Sequence, residues 1–340
     1  MSKKFWLRTG LLIFLIILCF GLVLSFSIEK SRIQDKKPVT IKIIQDQYSL
    51  LYLPQYIALW KGFFDEEKLI VKITPVASEK VFLTALRSGR GDILLSGLEQ
   101  AIYPPADQKE RLVAFCALTK KEQTFLVARK QEKDFQWTDL KDKTVITGPP
   151  GSKETVIFQG ILIRHGFTPN RQVTLYANIP APLQIGAFKS GTGDYILAAG
   201  LDTAYLEKNG LGKTVASLGK EIGNLPGLVF LTSNDFLKKH PDTLQRFTNA
   251  IYKALLWLEQ HEVAEICQLL EQNDQPKDEE LIKMEIEKYK ALDIWAESPV
   301  ISRDSYEHFL EFFLDAKEIP APVPYGQAVV NIFAEKSTAK

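Results

Sequence analysis

The sequence predicts an α/β protein built from two similar lobes, and two observations support this fold class. A helix end, a tight turn and a buried strand occur in that order twice, over residues 85–95 and 187–197. Both copies contain Ser-Gly-x-Gly-Asp followed by an apolar run, and the first glycine suits a left-handed helix cap. Strands and helices also alternate between residues 39 and 231, a pattern typical of parallel sheets with crossover helices. The alternative is chance, because Ser-Gly-x-Gly is a common turn composition.

Composition is consistent with a two-domain globular protein. The chain has 340 residues, of which 46% are hydrophobic and 24% are charged, and this length is enough for two domains. The formal net charge is only +1. Because nucleic-acid binding usually needs a basic face, this balance argues against such a partner.

The first 27 residues predict export. Three basic residues among the first eight precede an apolar run over residues 11–24, as in a signal peptide. The stretch from Gly10 to Ile28 is almost long enough to span a bilayer, so an uncleaved membrane anchor is the second interpretation. Either would place the remainder outside the cytoplasm, in the periplasm or on the outer face of the membrane. A buried core helix is a third alternative, and lipidation of Cys19 is a weak one because Leu18 precedes it.

The elements of each lobe can be predicted in chain order. Residues 28–38 are polar and are typical of a linker. In the first lobe we predict strands at 39–44, 69–73, 92–95 and 112–118 and helices at 53–67 and 79–88. In the second lobe we predict strands at 123–128, 144–146, 173–175, 195–197 and 214–216 and helices at 153–164, 182–189 and 201–209. A strand at 228–231 returns to the first lobe, and a helical region follows from Pro241.

These elements imply domain boundaries. The predicted order is a signal peptide or anchor (1–27), the linker (28–38), the first part of lobe one (39–118), lobe two (119–227) and a helical C-terminal part of lobe one (228–340). The chain would cross between the lobes near residues 117–119 and 227–229, where we expect a hinge.

Ligands of open α/β sheets bind outside the carboxyl ends of the strands, so the loops there predict a cleft between the lobes. The candidate ligand-binding residues in lobe one are Tyr48, Tyr52, Ser78, Ser96, Gly97 and Glu99. Those in lobe two are Gly151, Ser152, Thr155, Pro180 and Asp202.

The sequence Gly-Pro-Pro-Gly-Ser over residues 148–152 precedes a helix. Free backbone N–H groups there would favour an anion or a polar oxygen, with a plain helix cap as the alternative. Helix capping or first-turn charge is likewise the alternative role of Glu99 and Asp202. The sign of the ligand charge stays open, because Lys80 and Lys153 favour an anion whereas these two acids favour an amine.

Nothing in the sequence indicates catalysis or a metal site. The four histidines form no metal-type pair, and neither a Gly-x-Ser-x-Gly elbow nor a phosphate-binding loop occurs. Beyond Cys19 the cysteines are Cys116 and Cys267, for which buried free thiols are the default and a disulfide is not deducible. We therefore expect no enzyme activity, no metal and no cofactor.

Several short motifs carry a family resemblance. They are YLPQYIA at 52–58, KGFF at 61–64, ALRSGRGD at 85–92, LKDKTV at 140–145, SGTGD at 190–194, PG at 226–227 and DFLKKHP at 235–241. In this order, across residues 39–335, they resemble the nitrate-, sulfonate- and taurine-binding proteins of ABC importers. That family also contains binders of thiamine-pyrimidine precursors. The chain departs from the family pattern at 77–79 and 199–202, so the family's ligands do not carry over.

The resemblance implies a periplasmic-binding-protein type II fold with C-terminal helices on lobe one. It also implies a monomer that captures a small polar organic or oxyanion ligand and delivers it to an ABC permease. The alternative function is binding of a thiamine-pyrimidine precursor, or pyrimidine synthesis by an enzyme of the same fold. An anchored sensor ectodomain is a third class, although no second membrane span or signalling domain follows.

Overall fold

Two sheets of five strands form the framework of the part of the chain that the structure describes. The computed structural model describes residues 36–46, 48–76, 84–86, 88–103, 111–130, 134–273 and 278–339. The predicted export segment, Ser78 and most of the predicted linker and of the helix at 79–88 lie outside these residues. Within them, no helix is long and apolar enough to cross a bilayer.

The strands divide between the sheets by their position in the chain. The first sheet contains β1 (Val39–Gln45), β2 (Leu69–Pro75), β3 (Ile93–Gly97), β4 (Leu112–Ala117) and β10 (Leu228–Ser233). The second contains β5 (Phe125–Ala128), β6 (Thr144–Ile146), β7 (Thr174–Tyr176), β8 (Tyr195–Ala198) and β9 (Lys213–Ser217).

Both sheets have the same topology. The first is ordered β2-β1-β3-β10-β4 and the second β7-β6-β8-β5-β9. In each, the first three strands pair in parallel, whereas the fourth runs antiparallel to both of its neighbours. That fourth strand, β10 or β5, is the one that enters from the other lobe. The predicted two-lobe α/β fold is confirmed, with mixed sheets because of these entering strands.

The repeated turn is built identically in both lobes. The Asp92 carboxylate accepts a hydrogen bond from the Lys42 backbone N–H (2.8 Å), and the Asp194 carboxylate accepts one from the Thr144 N–H (3.0 Å). The amides of the two aspartates donate in return to the carbonyls of Lys42 and Thr144. Each turn is therefore hydrogen-bonded to the parallel strand beside it. This shared structural role explains why the Ser-Gly-x-Gly-Asp motif occurs in both lobes.

The glycine before each aspartate is needed because the neighbouring strand lies very close. A Cβ added at Gly91 would lie 2.3 Å from Ile44 Cγ1, and one added at Gly193 would lie 3.1 Å from Ile146 Cγ1. Real Cβ atoms do not approach other atoms as closely as the first distance. Any larger residue at Gly91 would thus push the turn away from β1.

Two segments cross between the sheets side by side. The Leu228 amide donates to Thr119 Oγ1 (2.8 Å), and the Leu225 amide donates to the Lys120 carbonyl (3.0 Å). A third segment joins them, because the Ala296 amide donates to the Leu118 carbonyl (3.0 Å). These crossings coincide with the positions near 117–119 and 227–229 at which the sequence predicts a hinge, and the hinge itself stays a prediction.

The α-helices that the structure describes surround the sheets. In the first part of the chain they are α1 (Leu53–Trp60), α2 (Phe63–Glu66) and α3 (Glu99–Ile102). Lobe two contains α4 (Lys153–Arg164), α5 (Ala181–Lys189), α6 (Leu201–Lys208) and α7 (Leu218–Ile222). The C-terminal helices are α8 (Asn234–Lys239), α9 (Pro241–Gln260), α10 (Val263–Glu271), α11 (Glu279–Ala291), α12 (Arg303–Asp315), α13 (Tyr325–Ala328) and α14 (Ile332–Thr338).

The prediction of one continuous helix over residues 53–67 is wrong, because the structure has two helices there. The helical stretch is interrupted between α1 and α2 by Gly62, whose φ of 73° is left-handed. A residue in this conformation cannot continue the hydrogen-bonding ladder, so the chain turns there.

The sequence predicts that the C-terminal helices pack on lobe one, but the structure shows that they contact both lobes. Helix α9 packs on α1 and α14, but α11 packs on α6 and α12 on α4, both in lobe two. The approach of α12 is close because Gly160 of α4 has no side chain: a Cβ there would lie 2.5 Å from the Phe312 ring. An ion pair between Arg164 and Glu311 (3.0 Å) closes the edge of this contact. The C-terminal helices therefore connect the two lobes.

Candidate functional site

The candidate site lies where the loops after the parallel strands of the two lobes meet. Tyr103, which follows α3 in lobe one, donates its hydroxyl hydrogen to the carbonyl of Gly151 in lobe two (2.6 Å). Gly151 has a φ of 78°, a conformation that glycine adopts readily. This hydrogen bond connects loops of the two lobes at the place where the sequence predicts the cleft.

Aromatic side chains line the end of β1. The Tyr48 ring stacks on the Tyr56 ring, with centroids 5.0 Å apart, and its buried hydroxyl has no hydrogen-bond partner among the described residues. The Tyr52 hydroxyl donates to the Asp46 carboxylate. Desolvation raises the pKa of Asp46 in spite of this bond. The predicted residues Tyr48 and Tyr52 thus form one polar-aromatic group.

The end of β3 carries a buried carboxylate. Ser96 and Glu99 are only 8% and 5% exposed. The Glu99 carboxylate folds back over Gly97, where an added Cβ would lie 2.0 Å from Oε2. The two predicted residues Gly97 and Glu99 therefore work together, because the glycine leaves the space that the carboxylate occupies.

The loop before α4 repeats this arrangement in lobe two. The Glu154 carboxylate lies over Gly148, where an added Cβ would be 1.9 Å from Oε1, and it accepts a hydrogen bond from Ser152 Oγ (2.7 Å). Thr155 Oγ1 donates to the Gly148 carbonyl (3.0 Å). Burial raises the pKa of Glu154. The chain's own carboxylate thus lies where the sequence predicted an anion.

A buried ion pair lies beside this loop. Lys153 Nζ is 2.9 Å from Glu122 Oε2, and the side chains are 7% and 0% exposed. The other Glu122 oxygen accepts hydrogen bonds from the backbone N–H and the hydroxyl of Thr124. Burial alone would lower the pKa of Lys153, but Glu122 and Glu99 together raise it. Lys153 is therefore a charged ammonium held between carboxylates of both lobes.

Helix α11 contributes polar groups that the sequence prediction missed. Glu285 and Tyr289 are completely buried, and neither Glu285 oxygen nor the Tyr289 hydroxyl makes a hydrogen bond of normal geometry within the described ranges. Burial raises the pKa of Glu285 to about 7. A Cβ on Gly200, in the loop after β8, would lie 3.6 Å from the Tyr289 hydroxyl, so this group faces the end of the second sheet.

A signal for Glu285 was present in the sequence. The buried positions of α11 include Ile282, Glu285, Ile286 and Tyr289, which follow the i, i+3, i+4, i+7 spacing of one helix face. An acidic residue on an otherwise apolar face is unusual, because an unpaired buried charge is costly.

Two other predicted residues lie at the edge of the site. Pro180 is exposed at the start of α5. Asp202 is exposed in the first turn of α6, yet the protein around its carboxyl is close enough for desolvation to raise its pKa. Within the described ranges, no group of three or more His, Cys, Asp or Glu side chains is arranged to hold a metal ion.

Two cavities near the crossing segments do not coincide with this site. One of about 150 Å³ borders Lys290 and Trp295, and one of about 230 Å³ borders Thr119 and Pro226. Neither is lined by the residues at the carboxyl ends of the parallel strands. We place the site at the interlobe contact, where charged groups converge, rather than at these cavities.

We expect Ser152→Ala to weaken ligand binding about tenfold to a hundredfold if Ser152 contacts a ligand oxygen, because a hydrogen bond to a charged group contributes about 1.5–3 kcal/mol. Its effect on folding should stay below about 1 kcal/mol, the usual cost of losing a helix cap, since the side chain makes no helix-capping hydrogen bond. Titration calorimetry and thermal unfolding measure the two effects. Ser190→Ala at the exposed end of α5 is the matched control. Lower stability with unchanged affinity would show that the loop is structural.

Comparison with known proteins gives consistent results. The sequence pattern of the NMT1/THI5-like family matches residues 51–264. YtlA of Bacillus subtilis (strain 168), which is named provisionally as a binding protein, is 33% identical over 337 residues, which are 98% of this chain and 99% of YtlA.

Solved structures share the fold. The alkanesulfonate-binding protein SsuA of Xanthomonas axonopodis pv. citri, solved with MOPS, is similar with a TM-score of 0.66 at 18% identity, over 87% of this chain and 99% of SsuA. The periplasmic nitrate-binding protein NrtA of Synechocystis PCC 6803 gives a TM-score of 0.69 at 15% identity, over 89% of each chain. At these identities the likeness extends to the fold alone.

Proposed function

The chain belongs to the NMT1/THI5-like family, and on this basis we propose that it is an extracytoplasmic solute-binding protein of an ABC importer. It captures a small polar ligand between its lobes and delivers it to the permease. The N-terminal segment directs it across the membrane, as a cleaved signal peptide or as an anchor. The chain acts as a monomer and without catalysis.

The observation that carries this proposal is the set of charged and polar side chains buried between the lobes. Glu99 reaches the contact from lobe one, Lys153 from lobe two and Glu285 from α11. Buried polar groups are normally hydrogen-bonded, so a concentration of them at a lobe boundary supports a ligand site. The domain boundaries predicted above are compatible with this role, because they place the predicted crossings near 117–119 and 227–229, between the two lobes.

A sulfonate- or nitrate-like oxyanion is the ligand class that the family resemblance implies. It would need Lys153 and the amides of residues 151–155 as donors. Lys153 is already neutralised by Glu122, and the Glu154 carboxylate lies at the amides. The ligand is therefore a small polar organic molecule, with hydroxyl or amine groups that can replace or bridge these internal contacts.

Thermal-shift screening of the full-length chain tests this function. The compounds are sulfonates, nitrate, bicarbonate, pyrimidines and organic amines. A ligand present at 100 times its Kd stabilises the folded state by about 2.7 kcal/mol and raises the melting temperature. Co-purification of the tagged chain with a permease in the presence of that ligand is the second expected result. Chemical turnover of the ligand by the purified chain would contradict the proposal and favour the enzyme alternative.

A further inference from the structure

The contact between α6 and α11 contains more unpaired polar atoms than a hydrophobic interface should. Both Glu285 oxygens, the Tyr289 hydroxyl and the Thr203 hydroxyl are buried and make no hydrogen bond of normal geometry with the described residues, and Glu285 and Tyr289 lie close enough to interact with each other. All three residues are 0% exposed. Leaving a buried polar group unsatisfied costs about 1–3 kcal/mol, and more for a charge. Such a cost is expected where a bound ligand supplies the missing partners.

The charged groups around Glu285 are mostly acidic. On its own helix it faces Lys288 and Tyr289, and from α6 it faces Asp202 and Glu207. Lys288 is engaged elsewhere, because its Nζ lies 2.8 Å from the Glu207 carboxylate and these two charges cancel. In the part of the chain that the structure describes, Glu285 and Asp202 are thus left without a cation of their own.

The side chains in the wider cleft also carry more negative than positive charge. Beyond α6 and α11, its described side chains include the acids Asp46, Glu99, Glu122 and Glu154 and the base Lys153. A buried carboxylate needs a positive partner, since desolvation of an uncompensated charge is very unfavourable.

The hydrogen-bonding capacity of Glu285, Tyr289 and Thr203 also favours a positively charged ligand. Carboxylate oxygens only accept hydrogen bonds, and the Tyr289 and Thr203 hydroxyls can accept as well as donate. A protonated amine offers several N–H donors and no acceptor. An oxyanion, in contrast, would add acceptors where acceptors already outnumber donors.

We propose that the ligand is a small organic cation, and that its protonated nitrogen binds between Glu285 and Tyr289 of α11 and the start of α6 at Asp202. This inference rests on the proposed ligand-binding function and assigns the chemical class of the ligand. Glu285 is thereby a specificity-determining residue.

Four probes with the same three-carbon chain test the inference on the full-length protein. They are propylammonium, 1-propanol, 1-propanesulfonate and 3-aminopropanesulfonate, which are respectively cationic, neutral, anionic and zwitterionic. Titration calorimetry at pH 8 should show at least tenfold tighter binding of propylammonium than of the alcohol or the sulfonate. The affinity for propylammonium should fall at least tenfold in Glu285→Gln and be unchanged in Glu287→Gln, an exposed acid on the same helix.

The outcomes separate this inference from the proposed function. Equal or tighter binding of 1-propanesulfonate or 1-propanol would overturn the cationic ligand and leave the solute-binding function standing. Binding of none of the four probes would also overturn it, and the broader thermal-shift screen would then decide the function independently. The Tyr289→Phe variant provides a second test. Its affinity for propylammonium should fall, but propylammonium should still bind more tightly than 1-propanesulfonate.

Discussion

Replacing Lys153 by methionine is expected to lower the free energy of unfolding by about 3–5 kcal/mol at pH 7, because removal of one partner of a buried ion pair leaves the other charge uncompensated. Glu122 would be that charge, with its side chain 0% exposed. Methionine has a similar length and is apolar, so lost packing contributes little. Urea denaturation of the wild type and the variant measures the loss.

The cause of the loss is electrostatic rather than steric. Glu122 and Glu99 both raise the pKa of Lys153 against the opposing effect of its burial. Without the ammonium, these carboxylates must either stay charged in a poorly solvated place or take up protons. Either response costs free energy at neutral pH, and the cost should shrink as the pH falls and the acids become protonated.

A double variant provides the control for this prediction. In Glu122→Gln/Lys153→Met neither charge remains, and the side-chain carbonyl of the introduced glutamine can still accept the hydrogen bonds that Thr124 donates to Glu122. Most of the lost stability should therefore return. Lys143→Met, at an exposed position in the same lobe, should change stability by less than about 0.5 kcal/mol. A loss below about 1 kcal/mol in Lys153→Met would contradict the buried ion pair as a source of stability.

The sequence predicted the sheets well because their determinants are local. Asp92 and Asp194 follow the same turn motif, and each fixes one parallel pairing by the same two backbone contacts. A short motif that specifies a turn and a register at once can be detected in a single sequence. The loops at the ends of these strands could be located for the same reason.

The position of the C-terminal helices could not be predicted in this way. The contact of α12 with lobe two depends on Gly160 and Phe312, which are far apart in the chain. Each is ordinary in its own helix, and only their approach in three dimensions makes them specific. A hydrophobic face shows that a helix packs, but it does not show against which lobe.

The candidate site shows the same limit. Glycines and serines after predicted strands identified the loop of Gly151 and Ser152, yet the Glu154 carboxylate that lies over this loop is at the end of a long side chain whose direction is set by packing. Glu285 was missed because α11 belongs to no strand-loop unit and reaches the cleft through contacts with α6 and with residues 50–52, which are far away in the sequence. Its sequence signal, an acid on an apolar face, acquires meaning once those contacts are known.

Replacing Glu285 by glutamine is expected to stabilise the ligand-free protein at alkaline pH and to have little effect in acid. The pKa of this carboxyl is about 7 in the folded protein and 4.5 as its ordinary value. The folded state therefore binds the proton more tightly than the unfolded chain. Between pH 4.5 and 7 the wild-type protein loses stability as the pH rises, because this carboxyl ionises in the unfolded chain while burial keeps it protonated in the folded protein.

The size of this effect follows from the same two values. One pKa unit corresponds to about 1.4 kcal/mol, so the wild type should lose about 3 kcal/mol through Glu285 across this window. The introduced glutamine does not ionise, so the stability of the Glu285→Gln variant does not contain this contribution. The stability difference between Glu285→Gln and the wild type should therefore grow by about 3 kcal/mol from about pH 4.5 to about pH 8, as measured by urea denaturation at both values.

The neighbours of Glu285 decide how this result is interpreted. Burial has the largest effect on the pKa of Glu285 and raises it. The neighbouring Tyr289 hydroxyl and Lys288 lower this pKa, and Glu207 and Asp202 raise it. For Glu287→Gln, on the exposed side of α11, the stability difference from the wild type should not increase with pH. A constant difference between Glu285→Gln and the wild type would mean that Glu285 does not titrate in this range. A saturating organic cation should abolish the pH dependence of the wild type, because a bound positive charge keeps the carboxylate ionised without penalty.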